Sequence, residues 1–132
     1  MCMFQEYVEK AYEVRLTVIG NMFFPVTIRS QDADATRIDW RGWNEMSYGD
    51  YHPLPDDLVK KVQTLLTELD LVYAALDFIV TPDGEYVFLE VNPNGQFIWM
   101  DTDLQLPMAD CMADLLAAGG PLRRGDAIQV GY

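Results

Sequence analysis

The sequence predicts an α+β domain in which an antiparallel sheet packs against helices. Two observations carry that prediction. The first is a pair of strand–turn–strand patterns, at 13–30 and 73–91, each with turn residues at its bend. The second is an amphipathic helical pattern at 55–69, between the two hairpins, which gives the sheet an apolar face to pack on.

The elements follow in chain order. Phe4-Gln5-Glu6-Tyr7-Val8 runs into apolar sequence with no cap or linker before it. Glu13–Ile19 alternates, with Val14, Leu16 and Val18 on one face and Arg15, Thr17 and Ile19 on the other. Gly20-Asn21 reads as a two-residue hairpin turn, and Met22–Ser30 as the returning strand. Residues 31–54 read as irregular, with Trp40, Trp43, Tyr48 and Tyr51 pinning them to the core. His52, the single histidine, precedes Pro53 and reads as a surface side chain. In the helix Pro55–Leu69, Pro55 suits the first helical position, and Asp56 and Asp57 complement the positive end of the dipole. Leu58, Val62, Leu65, Leu66 and Leu69 form its apolar stripe.

The second hairpin pairs Tyr73–Val80 with Glu85–Val91 across Thr81-Pro82-Asp83-Gly84, where Pro presets φ and Gly accepts a left-handed position. Gln96–Met100 enters a loop. Pro107 then opens a second helix with Met108, Cys111, Met112, Leu115 and Leu116 inward, closed by Gly119-Gly120. The last residues, 121–132, read as a loose tail.

Composition removes several function classes. The formal charge is −12, from 21 acidic and 9 basic residues, which speaks against nucleic acid because phosphates need a basic stripe. No apolar run approaches the roughly 20 residues of a membrane span, and no signal sequence opens the chain, so a cytoplasmic protein away from membranes is expected. Cys2 and Cys111 stand far apart without metal-ligand spacing and read as reduced thiols.

Four polar residues interrupt the apolar strands. Glu90 and Asn92 share a strand face, and a turn that sets Val80 opposite Glu85 would place Asp77 on that face too. Asp77 and Glu90 would then be diagonal neighbours roughly 7–8 Å apart, whereas a one-residue bulge at Gly84 would send them to opposite faces. Two carboxylates and an amide oxygen over an apolar strand pair need compensation, which either a hard cation such as Mg²⁺ or a solvated edge supplies. Arg15, in mid-strand, likewise needs a partner: phosphate oxygens, or an internal carboxylate.

The run DFIVTPDGEYVFLEVNPNG resembles the metal-binding hairpin of ATP-grasp carboxylate–amine ligases. That resemblance implies that Asp77, Glu90 and Asn92 hold two Mg²⁺ ions bridging ATP phosphates. Gln5-Glu6-Tyr7-Val8 is similar to the family's hinge, which implies adenine contacts by Glu6, Tyr7 and Val8, with Glu9 or Lys10 reaching the ribose. Arg15, in VRLTVIG, matches a phosphate-contacting arginine. Asp39-Trp40-Arg41 resembles the branch that crosslinks ribosomally made peptides, the graspetide or microviridin-type ligases, and implies that Arg41 holds the γ-phosphate or the acyl phosphate formed from it.

The expectation is therefore the C-terminal lobe of such a ligase at 1–118, with a tail at 119–132 and the partner lobe of the ATP clamp lying outside this sequence. The implied reaction activates a carboxylate of a precursor peptide as an acyl phosphate and closes an amide or ester. A glutamate-adding or glutathione-synthetase-like ligase, and an inactive interaction module, are the alternatives. Phe4, Tyr7 and Val8, left uncovered, would favour aggregation or a homodimer.

Overall fold

A computed structural model describes residues 4–40, 48–118 and 129–130. Among the described residues, six strands form one sheet in the order β3 (Tyr48–Tyr51), β2 (Met22–Ile28), β1 (Tyr12–Ile19), β4 (Tyr73–Val80), β5 (Tyr86–Asn92), with β6 (Gln129–Val130) attached to β2. Strand β1 (Tyr12–Ile19) turns at Gly20-Asn21 into β2 (Met22–Ile28), with Gly20 in the left-handed conformation at φ 62°. After β3 (Tyr48–Tyr51) comes helix α1 (Asp56–Glu68), and then β4 (Tyr73–Val80) and β5 (Tyr86–Asn92) make the second hairpin. Helices α2 (Ile98–Leu104) and α3 (Met108–Ala117) follow, and β6 (Gln129–Val130) pairs in parallel with β2 at Met22 and Phe23.

Alternation along β1 and β4 divides the sheet into two faces. On one, Val14, Leu16 and Val18 join Ala74, Leu76, Phe78 and Val80 in a core closed by Val62 and Leu66 of α1. On the other, Ile19, Phe24 and Val26 pack with Met100, Leu106, Met108 and Leu115 from the α2–α3 region. This second cluster takes no residue from β5, and no β5 side chain is fully buried. The Arg15 end of this face is therefore lined by polar groups rather than by a helix-covered apolar core.

Several expectations change. Pro55 is the residue before α1 rather than its first turn, and its missing N–H costs nothing there. The segment after Phe97 is a helix, α2, and not a loop entry. Leu116, expected inward, is 73 % exposed, while Met108 and Leu115 form the buried edge of α3. Residues 48–51 and 129–130, read as irregular loop and loose tail, contribute strands. His52 is half-buried rather than at the surface, sharing a hydrogen bond with the Tyr86 hydroxyl.

The register of the second hairpin also differs. Val80 faces Tyr86, not Glu85, and Phe78 faces Phe88. A shift between Asp77 and Phe78 then leaves Leu89 as an extra residue, so that Asp77 faces Glu90 directly. Opposed residues of an antiparallel pair share a face. The bulge at Leu89 cancels the shift made at the turn, and returns Glu90 and Asn92 to the face of Asp77.

Candidate functional site

The polar groups of the second face converge on Arg15. In β1 it lies between Val26 of β2 and Asp77 of β4, and Asp77 in turn faces Glu90 of β5. One row across the sheet thus carries Arg15, Asp77 and Glu90. The next row carries Thr17, Ala75 and Asn92. The small side chain of Ala75 leaves a recess between its larger neighbours, and Gly95 closes over it: a Cβ on Gly95 would lie 2.3 Å from the Ala75 Cβ and 3.0 Å from Arg15 Nη2.

Arg15 and Asp77 are only 6 % and 5 % exposed. Nη1 of Arg15 donates to both oxygens of Asp77, at 2.9 and 2.8 Å, and sits in the notch between them. The Trp40 ring lies 5.8 Å from the guanidinium carbon, a cation–π arrangement, and Trp40 leans in turn on Trp99. Trp40 thus pins its loop to the core, as its sequence position suggested. The pair is not fully compensated. Among the described residues, buried Arg15 Nε has no hydrogen-bond partner, and neither has the buried Thr17 hydroxyl. Buried donors are nearly always satisfied, so an orphan on a guanidinium is a place where a ligand oxygen fits.

The turn after β5 is held from two sides. Asn92 Oδ1 accepts a hydrogen bond from the Asn94 N–H at 2.9 Å, and the Tyr73 hydroxyl donates to the Gly95 carbonyl. Burial raises the Tyr73 hydroxyl above its ordinary pKa, with the Arg15 charge opposing, so Tyr73 stays a proton donor at neutral pH. Sequence alone singles out neither Tyr73 nor Thr17 for this site. The signal available was positional: Tyr73 begins the strand that carries Asp77, and Thr17 follows Arg15 by two.

The remaining sequence-derived residues are spread differently. Lys10 is buried and its ammonium is 2.5 Å from Glu13, with a second bond to the Ile38 carbonyl at 3.2 Å. Glu6 and Tyr7 are exposed and Val8 is partly covered, in a segment without regular structure that leads into β1. Arg41 lies outside the described residues. Arg15, Asp77, Glu90 and Asn92 are brought together, then, while the 6–8 segment is an irregular, largely exposed stretch ahead of β1.

The donor set of Asp77, Glu90 and Asn92 is all oxygen, the chemistry that Mg²⁺ prefers. Among the described residues, no group of three or more His, Cys, Asp or Glu side chains is placed to hold a metal ion. Two carboxylates and an amide would leave further coordination positions to water or to phosphate oxygens, as is usual for Mg²⁺ at nucleotide sites. The orphan Nε of Arg15 and the oxygen donors on one face fit such a group.

Under α3, on the apolar part of this face, burial pushes the Cys111 thiol up, reinforced by the neighbouring carboxylates of Asp114, Asp110 and Asp101, which keeps it an unreactive thiol. No described helix is long and apolar enough to cross a membrane.

Solved structures share this architecture. The macrocyclase MdnC from Microcystis aeruginosa MRC, bound with its precursor peptide MdnA, is 35% identical with a TM-score of 0.74 over 88% of this chain and 36% of MdnC. A RiPP-associated ATP-grasp ligase from Chryseobacterium gregarium, in complex with ADP and a leader and core peptide, is 32% identical with a TM-score of 0.78. That match covers 95% of this chain and 38% of the ligase. The ATP-grasp ligase PsnB, complexed with a precursor variant, Mg and ADP, has a TM-score of 0.68 at 21% identity, and at that identity it supports the fold alone. No family description matches the sequence, and no curated protein does. The chain spans a little over a third of the length of the solved proteins. It is similar in fold to one lobe of the ATP-grasp ligases and macrocyclases that act on ribosomally made peptides.

Proposed function

We propose that this chain is the metal- and phosphate-binding lobe, its C-terminal one, of an ATP- and Mg²⁺-dependent carboxylate ligase that modifies a ribosomally made precursor peptide. The observation that carries the reading is the single row of buried Arg15, buried Asp77 and partly buried Glu90, with Asn92 beside it and a guanidinium donor that has no partner among the described residues. Asp77, Glu90 and Asn92 would hold Mg²⁺, with two ions the expected number, and Arg15 would take a phosphate oxygen at its Nε edge. Arg41 is assigned to the transferring phosphate by its sequence position. Glu6, Tyr7 and Val8 would line the adenine, and Lys10 would reach the ribose only by leaving Glu13.

A metal held by these residues would supply charge neutralisation at the phosphates; in the proposed reaction a peptide carboxylate attacks the γ-phosphate and expels ADP, and an amine or hydroxyl then displaces phosphate from the acyl phosphate. This chain's share is to fix the charges: Trp40 and Gly95 confine the Arg15 guanidinium, and Asp77 is oriented by it. The peptide complexes of MdnC and of the Chryseobacterium gregarium ligase favour a peptide carboxylate over free glutamate as the substrate. A cytoplasmic location, association through exposed Phe4 and Tyr7, and a lobe ending near residue 118 complete the proposal.

Titration of the chain with ADP, with and without Mg²⁺, tests it. Glu90→Ala and Asn92→Ala should each weaken Mg²⁺-dependent binding about tenfold or more, the loss of roughly 1.4 kcal/mol. Asp83→Ala, in the exposed turn, should leave it unchanged. Equal behaviour of the Asp83 and Glu90 variants would remove the metal assignment.

A further inference from the structure

The geometry points to Arg15 and Asp77 acting as mutual placeholders, so that metal and phosphate load together and each alone loads poorly. The inference rests on the proposed metal and phosphate roles of this face and specifies how that site is controlled.

Arg15 Nη1 fills the notch between the two Asp77 oxygens, at 2.9 and 2.8 Å. That notch is where a carboxylate presents its charge to a cation. A divalent ion arriving alone must displace Nη1, or bind beside a positive charge that is already there. Displacement would leave a buried guanidinium without the Asp77 carboxylate, and its Nε already lacks a partner among the described residues. An anion arriving alone meets the converse difficulty. Drawing Arg15 toward a phosphate leaves Asp77, 5 % exposed, as an uncompensated buried carboxylate.

When both ligands arrive, each difficulty removes the other. The cation takes over Asp77 and the phosphate takes over the guanidinium, including its orphan Nε. Trp40, 5.8 Å from the guanidinium carbon, and Gly95 against Nη2 confine the guanidinium, so the exchange is a short shift. Coupling of this kind adds to the direct attraction between metal and phosphate. It also has a signature that direct attraction lacks: removing either placeholder should strengthen binding of the opposite ligand alone.

The test is calorimetric titration of the 132-residue chain, its Asp77→Asn variant and its Arg15→Gln variant with three probes: ADP without metal, Mn²⁺ alone, and Mg²⁺-ADP. Metal-free ADP should bind Asp77→Asn at least tenfold tighter than the unaltered chain. Mn²⁺ alone should bind Arg15→Gln at least tenfold tighter. Mg²⁺-ADP should bind both variants more weakly. Circular dichroism establishes which variants fold, and either one suffices because each probes one half of the exchange. Should neither fold, the double variant Arg15→Gln/Asp77→Asn takes their place, and it should show no more than direct metal–phosphate coupling. Unchanged or weaker binding of the lone ligands by the folded single variants overturns the placeholder role while leaving the metal and phosphate assignments standing. A double variant with the full coupling of the unaltered chain does the same. Failure of the unaltered chain to bind Mg²⁺-ADP overturns the functional reading itself, and the placeholder role with it.

Discussion

The two faces of this sheet are built from the same strands and serve opposite ends. On the α1 side, Val14, Leu16, Leu76 and Phe78 interlock with Val62 and Leu66, and nothing there needs a partner beyond shape. One residue along in each strand, the other face buries Glu13, Arg15, Thr17 and Asp77 as deeply. Burial is equal, but its meaning is not. The first face stabilises the fold by removing apolar area from water. The second holds charges whose desolvation is only partly offset by Lys10–Glu13 and Arg15–Asp77. Such a face beside an ordinary core is what the proposed ligand site would need, and the α1 face would supply its rigidity.

The largest expected effect breaks the polar face at its centre. Asp77→Ala strands the Arg15 guanidinium in a buried site and should cost about 3–5 kcal/mol, seen as a lowered denaturation midpoint. The double variant Arg15→Met/Asp77→Leu removes both charges and should recover most of that stability while abolishing Mg²⁺-dependent ADP binding. On the α1 face the logic differs: Leu76→Ala should cost about 2–5 kcal/mol with no second-site remedy of this kind. If the double variant is as unstable as Asp77→Ala, the charges are structural rather than held for a ligand.

How much of this contrast could be read in the sequence depends on how local each signal is. The division of β1 into Val14-Leu16-Val18 and Arg15-Thr17-Ile19 follows from alternation alone and stands as read. So do the Gly20-Asn21 turn and the bounds of β4. Alternation reads Asp77 and Glu90 as diagonal neighbours on one face; the shared face stands but the register does not, because nothing in Val87-Phe88-Leu89-Glu90 announces a bulge and two offsets cancel. Helix α2 has a Phe97 N-cap without a side-chain hydrogen bond and only 7 residues, so it carries neither a start signal nor a full amphipathic repeat. Strand β6 is 2 residues held by a non-local parallel pairing, which no local pattern encodes. The choice between Glu9 and Lys10 for the ribose is not legible in the sequence, and the bond of Lys10 to Glu13, three residues on, becomes evident only once the chain is folded.

A smaller effect sharpens the comparison at the turn after β5. Gly95 has no room for a side chain, with Ala75 and Arg15 Nη2 within contact. Gly95→Ala should therefore cost about 1–3 kcal/mol and weaken nucleotide binding, because the loop must lift off the guanidinium. Gly84 is the control. Its neighbourhood is open, and its φ of 84° makes any cost one of backbone conformation, with binding unaffected. Parallel loss of binding in both variants would remove the special place given to Gly95.

The α1 side has its own titratable group, with an effect of about 1 kcal/mol for the hydrogen bond involved. His52 shares a hydrogen bond with the Tyr86 hydroxyl and packs edge-on to Tyr12, and burial lowers its pKa below the ordinary 6.5. A lowered folded-state pKa means that the unfolded chain binds the proton more readily. Stability is therefore full above the unfolded value, near 6.5, and declines as pH falls below it, levelling off below the folded value. His52→Gln should flatten this part of the stability profile between about pH 7 and 5. Nucleotide binding at neutral pH should not change, because His52 and Tyr86 lie with the α1-side cluster. A profile that keeps its slope in His52→Gln would assign the titration elsewhere.

The smallest effect separates a structural hydroxyl from one held for a ligand. Thr17 is fully buried on the polar face, between Phe24 and Ala75, and its hydroxyl has no partner. Thr17→Val replaces that hydroxyl by a methyl of similar size. Where a hydroxyl is satisfied, this change usually costs about 1 kcal/mol, the worth of the bond. Here no bond is lost and an unsatisfied polar group is removed, so stability should be unchanged or should rise by up to about 1 kcal/mol. The same substitution on the ligand-bound chain distinguishes two roles for the hydroxyl. If it is a packing residue alone, Mg²⁺-ADP should bind Thr17→Val as tightly as the unaltered chain. If the ligand, or Arg15 once shifted toward it, supplies the missing partner, affinity should fall about threefold to tenfold while the melting temperature of the unliganded chain holds or increases. A stability loss of 1 kcal/mol or more in the unliganded variant would contradict both, since it would mean that the hydroxyl is already satisfied.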